Sequence, residues 1–476
     1  MSGIIHSWPI EIDFNRAQIR SRIRESDILD LKAPASYIVF TDGVKYYAKN
    51  GSTGIIEYSD TDASNVIQYA IDNTVASGKW GTVHLADGVY NLSKTITLYS
   101  GVGLKGTKAG WRTDTGTLST VLVGRFNDVI IKIVNHPQYK STSPYYIFPY
   151  IAELAIVGDY NSSNNVGIYV SDENGDIYDI VLRNVYVYNV GSDGLRISSA
   201  SSKTWMSDSY FEWCAGAGIN LVKFSKLNVV NAYIFYNNPN ILIGSGATGS
   251  AMFTNAVIIN SKSNGIVVNG SSTLLLSNCD ISSNNGYALY NYAVPVIHIT
   301  NCTIVGNSKG IFSGNGYILI SNSRIQNNCS SSGCSQVEIA GGRAVIVGNL
   351  FMETRSPKVA DYHIKITGGE VAVVGNHMPP SFSGALGIIN EAGGTRLIRD
   401  NYGYTNVSSG VATISAGSTR ITVSHGLVTA PSKVIITPLG QPPGKLWVEN
   451  ITSTSFDIVI DTAPSSNLNV AWYAEV

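Results

Sequence analysis

The sequence predicts an all-β chain organised as a parallel β-helix, with a capping helix before it and a small β-sandwich after it. Two observations carry the shaft. Asparagine recurs at a spacing close to 24 residues, at Asn184, Asn231, Asn255, Asn278, Asn301, Asn322, Asn349, Asn376 and Asn401, with Asp208 on the missing beat. Each stands in the same phrase, as in Leu274-Leu275-Leu276-Ser277-Asn278-Cys279-Asp280-Ile281 and Ile297-His298-Ile299-Thr300-Asn301-Cys302-Thr303-Ile304. Such a period marks a solenoid whose repeats touch only their neighbours. Within a repeat the apolar runs last three to five residues, are rich in Ile, Val, Tyr and Leu, and are broken by Gly, Asn and Ser. That is strand text, three short strands to a repeat, with no support for a helix pair. Asn suits the bend between strands because it tolerates left-handed backbone, and its amide can bond its copies one strand spacing, ~4.8 Å, above and below. The periodic Asn is therefore assigned to the shaft and removed from the list of chemical groups.

The third observation is the change of pattern near each end. Residues 1–35 read as a charged, partly helical anchoring segment, with Ile12, Ile19 and Ile23 near one helix face. Residues 36–79 hold a small meander around the turn pairs Asp42-Gly43 and Asn50-Gly51, followed by a helix. Asp60-Thr61-Asp62 offers the N-cap, Val66, Ile67, Ala70, Ile71 and Val75 form one apolar face, and Gly78 ends it. That helix is expected to plug the first turn, since a bare solenoid end exposes unpaired backbone and core. Residues 80–405 leave room for 13 or so turns, interrupted by longer excursions at 111–118, 136–149 and 353–361. Residues 406–476 alternate apolar and polar over six runs separated by Gly/Pro/Ser turns, which predicts a separate β-sandwich.

Composition narrows the partners. Only 14% of residues are charged and the net charge is −1, which argues against nucleic acid and against a polybasic membrane surface. No stretch approaches the ~20 apolar residues of a membrane span. Tyrosine, with 27 copies, takes surface that charges would otherwise occupy and contacts sugars and proteins well; strands favour Tyr in any case. Five cysteines give no metal pattern. Cys329 and Cys334 flank a short loop that a disulfide would close. Cys279 and Cys302 share a phase in adjacent turns and read as stacked thiols, with Cys214 left over. The N-terminus carries Glu11, Asp13, Arg16, Arg20, Arg22, Arg24, Glu25 and Asp27 and no long apolar core, so no secretory signal is expected.

Tyr58-Ser59-Asp60-Thr61-Asp62-Ala63 through Asp72, followed by Gly81-Thr82-Val83-His84-Leu85-Ala86-Asp87-Gly88-Val89-Tyr90, resembles the opening of the pectate-lyase-like superfamily, in which a capping helix precedes a Gly-rich first turn. The resemblance implies a right-handed coil. The lead-in from Asp42 to Gly51 is similar to one on such proteins from viruses and genomes of heat-loving archaea. Ser424-His425-Gly426-Leu427 with Trp447-Val448-Glu449-Asn450 is similar to modules at the tips of viral tail proteins. The superfamily includes lyases, hydrolases, tailspikes and inert spikes, so the resemblance implies a fold and no single activity. Its tailspike members imply a homotrimer.

Candidate chemistry is sparse. The lyase pattern of stacked carboxylates is not matched, and no cofactor or metal is expected. Asp172-Glu173-Asn174-Gly175-Asp176 with Asp179 offers calcium-type oxygens but departs from calcium-hand spacing and reads as a solvated loop. A glycosidase needs two carboxyl groups about 5–9 Å apart. The best set is Asp193, Asp208 and Glu212, beside Trp205, Tyr210 and Trp213 as sugar platforms. Against it, Asp208 stands on the Asn beat and the tryptophans can simply fill a wide turn. Among the N-glycosylation sequons, Asn161, Asn269 and Asn406 lie in loop text, whereas Asn301 lies on the ladder and is expected to be buried. The reading that combines these features is a virion spike made in the host cytoplasm and displayed on the virion surface. It would join other virion proteins through the N-terminal segment and meet a host glycan or glycoprotein. The alternatives are a polysaccharide lyase or glycoside hydrolase, and a cell-surface adhesin.

Overall fold

The computed structural model describes residues 4–7, 10–13, 35–76, 80–110, 119–137, 148–331, 333–355, 360–379, 388–390 and 396–476. Each regular turn contributes three parallel strands, as in Lys203–Ser207, Tyr210–Glu212 and Ile219–Lys223. Among the described residues the third strands of the turns stack into a 12-stranded sheet, which makes about twelve turns where the spacing suggested 13 or so. The first two strand columns share a 25-stranded sheet with the N-terminal meander.

Register explains why the coil is so regular. Along the 12-stranded sheet one inward position is aliphatic at every rung, from Ile96 through Ile131, Ile168, Leu195 and Ile219 to Ile364 and Ile388. These side chains are buried. Burying one is worth ~1.5–3 kcal/mol, and a slip by one residue would turn the whole column to solvent.

The asparagine period resolves into separate columns. Asn184, Asp208, Asn231, Asn255, Asn278, Asn301 and Asn322 occupy a left-handed bend, with φ between 49° and 56°, and Gly348, Gly375 and Asp400 continue it. Asn349, Asn376 and Asn401 stand one residue further on and are buried. The sequence-based reading of a single ladder is thus corrected: one column is exposed and chosen for backbone conformation, the other internal and chosen for hydrogen bonds. In the internal column each backbone N–H donates to the side chain one turn on. Cys279 donates to Cys302 Sγ (3.4 Å), Cys302 to Ser323 Oγ (3.1 Å), Ser323 to Asn349 Oδ1 (2.9 Å), Asn349 to Asn376 Oδ1 (2.9 Å) and Asn376 to Asn401 Oδ1 (3.0 Å). A second relay runs beside the next bend, where Cys214 donates to Asn237 Oδ1 and Asn284 and Asn307 donate to Asn307 and Asn328 Oδ1. Cys214, Cys279 and Cys302 are buried free thiols that fill relay positions. Asn301 lies in the exposed column, so the expectation that it is buried does not hold.

The first turn is closed by the helix Ala63–Ala76, whose Val66, Ile67, Ala70, Ile71 and Val75 are buried. Asp62 Oδ1 accepts from Ser64 N (2.9 Å) at its start. Gln68 seals the open sheet edge. Its Oε1 accepts from Thr97 N (2.8 Å) and its Nε2 donates to Thr97 O (3.1 Å), so one side-chain amide replaces the missing strand. The meander comprises Tyr37–Thr41, Tyr46–Asn50 and Ile56–Asp60, paired antiparallel. Near the N-terminus, Ile4–Ser7 and Ile10–Asp13 form an antiparallel pair, so Ile12 lies in a strand and not on a helix face. Ile19, Ile23 and Gly78 lie outside the described residues, as do 111–118, 138–147 and 356–359 of the three excursions.

Residues 407–475 form two three-stranded antiparallel sheets around Ile414, Phe456, Ile458 and Val470. Cys329 and Cys334 are joined by a disulfide.

Candidate functional site

Two bends per turn govern which side chains reach the surface between them. The short strand Tyr210–Glu212 lies between the bend at Asp208 and a second bend at Trp213 (φ 55°). Phe211 points into the core, and Tyr210 and Glu212 face out. The strands above and below bring their own outward residues into register: Tyr186 and Tyr233 beside Tyr210, and Tyr188 and Phe235 beside Glu212.

The outcome is an aromatic face three turns long. Tyr210 and Tyr233 stack with centroids 5.0 Å apart and planes 5° apart, and Tyr186 meets Tyr210 edge-on at 5.9 Å. Trp213 and Tyr236 lie 5.3 Å apart at the second bend. Tyr210, Trp213, Tyr233 and Tyr236 keep between 37% and 42% of their surface exposed. Lys262 Nζ sits 4.7 Å from the Trp213 ring centre and 4.3 Å from that of Tyr160, and donates to the Tyr160 hydroxyl at 2.9 Å. Tyr160 arrives from a loop more than a hundred residues earlier in the chain and straps the side of this face.

The bend at Trp213 is unusual in its residues. Its column continues Asn189, Trp213, Tyr236, Asn260, Ser283, Gly306 and Asn327, all with positive φ. Asn and Gly are at home there; a bulky aromatic is a conformational outlier costing ~1–2 kcal/mol. Outliers of this kind cluster at functional sites.

The sequence-predicted residues divide among three places. Tyr210 and Trp213 belong to the aromatic face. Trp205 is 43% exposed but lies before the Asp208 bend, on another wall, with Lys226 Nζ 5.3 Å from its ring centre. Glu212 lies within the aromatic face and accepts a hydrogen bond from the Tyr186 hydroxyl. Asp208 is exposed at the bend and accepts from Asn231 Nδ2 at 3.1 Å. It is four residues from Glu212, up to ~13 Å of extended chain, at the other end of the strand. Asp193 is only 4% exposed and its oxygens are committed to Arg196 Nε (2.6 Å), Ala217 N (2.9 Å) and Asn220 Nδ2 (2.8 Å). The three carboxylates thus stand in different settings: Asp193 internal and hydrogen-bonded, Asp208 at the bend, Glu212 among the tyrosines. Tyr186, Tyr188, Tyr233, Tyr236, Tyr160 and Lys262 were missed in the sequence. The signal available was aromatic recurrence at the repeat spacing, Tyr186, Tyr210, Tyr233, which the more frequent Asn masks.

Asn161 and Asn269 are exposed, while the Asn406 amide donates to Ile398 O. In the acidic loop Glu173 pairs with Lys132, and Asp176 accepts from Ser201 Oγ at 2.8 Å. Among the described residues no group of three or more His, Cys, Asp or Glu side chains could hold a metal ion, and no helix is long and apolar enough to cross a membrane. A second aromatic group, Tyr287, Tyr290, Tyr292 and Phe312, stands on the 12-stranded sheet.

Residues 159–294 and 240–379 match the family model described as right handed beta helix region. No curated protein sequence matches the chain. Among solved structures, the A-module of the Azotobacter vinelandii mannuronan C-5 epimerase AlgE6 is similar with a TM-score of 0.57 at 16% identity, covering 72% of this chain and 95% of that one. The tailspike protein gp49 of Pseudomonas phage LKA1 is similar with a TM-score of 0.49 at 12% identity, covering 86% and 93%. Likeness at this identity is likeness of fold, and it agrees with the strand register above: the chain is a right-handed parallel β-helix protein.

Proposed function

We propose that the protein binds surface glycans through its aromatic face, as a rigid attachment spike displayed on a virion. In this reading a homotrimer is the assembled form and the N-terminal segment joins other virion proteins. The observation that carries the glycan reading is the placement of Trp213 and Tyr236, exposed aromatics held in a strained backbone slot where the neighbouring turns put Asn, Ser or Gly. Ring faces and edges of Tyr and Trp pack on the apolar face of a sugar while their polar atoms bond its hydroxyls. The stacked rings recur at the turn spacing, which suits a chain-like ligand laid along the shaft.

Binding of the purified protein to polysaccharide extracted from candidate hosts tests this, read by calorimetry and by retention on the immobilised polymer. Retention that falls at least ~10-fold in Trp213→Ala with Tyr236→Ala supports the reading; unchanged retention rejects the aromatic face as the contact surface.

A carbohydrate-active enzyme is the second reading, favoured by the Glu212 carboxylate held by the Tyr186 hydroxyl in the middle of that face. Shortened products from the polysaccharide, lost in Glu212→Gln, would support it. Intact polymer with retained binding would leave attachment alone.

A further inference from the structure

A groove lies on a different wall, near the capped end of the shaft. Four neighbouring strands, Gly81–Leu85, Val102–Lys105, Tyr150–Val157 and Ile180–Tyr188, turn their outer surface into a groove of about 560 Å³. Small residues make the room. Gly103 has no side chain because the Tyr150 ring lies across it, where a Cβ would come within 2.0 Å of a ring carbon, and the Tyr150 hydroxyl bonds that of Thr82. Trp80 and Phe148, 48% and 45% exposed, are among the lining side chains.

Charge in the groove is one-sided. Lys105, Ala152 and Arg183 are consecutive rungs, so two cations stand ~10 Å apart at their Cα atoms with only a methyl group between them. Lys105 has no ion pair among the described residues, and Arg183 has one long contact, 3.6 Å, to Glu153, whose carboxylate is also taken by Asn184. On the next rung, burial and the neighbouring Lys105 charge lower the pKa of His84, against the opposing pull of Asp87, so His84 adds no acidic group beside Lys105.

We propose that this groove binds the carboxylate of an acidic saccharide between Lys105 and Arg183, with its ring against the aromatic side chains of the groove. The anion is argued from the two cations and the space above Ala152, and the sugar from the exposed aromatics and hydroxyls; the sugar part rests on the glycan reading above. The groove is open along its length, and Arg and Lys bond carboxylates more strongly than neutral donors do.

Calorimetric titration with a uronic-acid oligosaccharide, its carboxyl-reduced counterpart and inorganic sulfate tests the proposal. The variants are Lys105→Gln, Arg183→Gln, Trp213→Ala on the aromatic face, and Arg343→Gln, the last removing the same charge from an exposed site far along the shaft. Unchanged melting temperatures confirm that the variants fold. The acidic oligosaccharide is expected to bind about tenfold more weakly to either groove variant, to be unaffected by Arg343→Gln, and to weaken as salt is raised. Equal binding of the acidic and reduced oligosaccharides, or groove variants that bind like the parent, overturns it. Sulfate binding as tightly as the oligosaccharide overturns the sugar part and leaves an oxyanion site. Binding lost in Trp213→Ala but kept in both groove variants rejects the groove while leaving the aromatic face standing.

Discussion

Replacing Asn376 by alanine is expected to damage the shaft far more than the same change at Asn255, although the two asparagines look equivalent in the sequence. Asn376 is 1% exposed. Its Oδ1 accepts from Asn349 N (2.9 Å) and Asn349 Nδ2 (3.0 Å), and its Nδ2 donates to Ile346 O (2.9 Å) and Asn401 Oδ1 (2.9 Å). Truncation leaves the Asn349 backbone N–H without an acceptor, at about 1–3 kcal/mol, and one Nδ2 hydrogen of Asn349 unpaired while the other keeps Ile320 O, for a total of about 2–4 kcal/mol. Asn255 is exposed, its amide makes one 3.4 Å bond to Asn231, and its φ is 54°. Alanine there loses mainly the tolerance for left-handed backbone, about 1–2 kcal/mol, and glycine should restore nearly all of it. Glycine at 376 should restore nothing, because the missing group is an acceptor. Urea denaturation gives the order of the four variants. Since long repeat arrays depart from two-state behaviour, amide exchange at Asn349 supplies a local reading that must accelerate only in the position 376 variants. If Asn255→Ala proves as costly as Asn376→Ala, or if Asn255→Gly is no better than Asn255→Ala, the division into two columns is wrong.

Trp213→Asn is expected to stabilise the protein by about 1 kcal/mol in urea denaturation while weakening polysaccharide retention, the opposite signs that strain held for function requires. The Cys329→Ser, Cys334→Ser pair should lose about 2 kcal/mol, the loop-closure value for a six-residue ring, and the parent should lose the same on reduction. At the capping helix, bonds from Asp62 N and Asn65 Nδ2 hold the Asp60 pKa at about 2, below the ordinary 3.8 of a free aspartate. A lowered acid stabilises the fold above its unfolded pKa and loses that contribution as pH falls through the folded one. The protection of the Asp62 amide against exchange, taken relative to its intrinsic rate at each pH, should therefore fall between pH 4 and pH 2 and stay flat from pH 5 to 7.

What the sequence discloses follows from what repeats. The strand phrases, the helix face from Val66 to Val75 and the six terminal runs were legible because each is a periodic choice between buried and exposed, the same choice made many times. The two-column structure of the asparagines was not legible, because a shift of one residue between Asn322 and Asn349 is hidden inside a repeat that also changes length. Gly348 was the clue, holding the left-handed slot while Asn349 moved inward. The different settings of the carboxylates were hidden for another reason. Asp193 and Glu212 are close in sequence, yet the first belongs to the turn that cradles Ala217 and the second to an outer strand, and only register assigns them. The groove at Lys105 and Arg183 draws on residues nearly eighty positions apart, brought together by an excursion whose length gives no rung count.

The strained bend can be weighed with magnitudes. Two bulky residues in left-handed backbone, Trp213 and Tyr236, cost about 1–2 kcal/mol each, or about 2–4 together. Against this stand their mutual contact at 5.3 Å, about 0.5–1.5 kcal/mol, and Lys262 over Trp213, about 0.5–1 kcal/mol at a surface site. Their exposure, 40% and 37%, limits what burial adds. These two contacts recover about 1–2.5 kcal/mol, short of the upper backbone cost, while Asn189 and Asn260 fill the same slot immediately before and after. Packing does not account for two adjacent departures from the cheapest residue. A surface that gains from wide, rigid, half-exposed rings aimed by the backbone does, and that is the property a ligand-binding wall has and a plain shaft lacks.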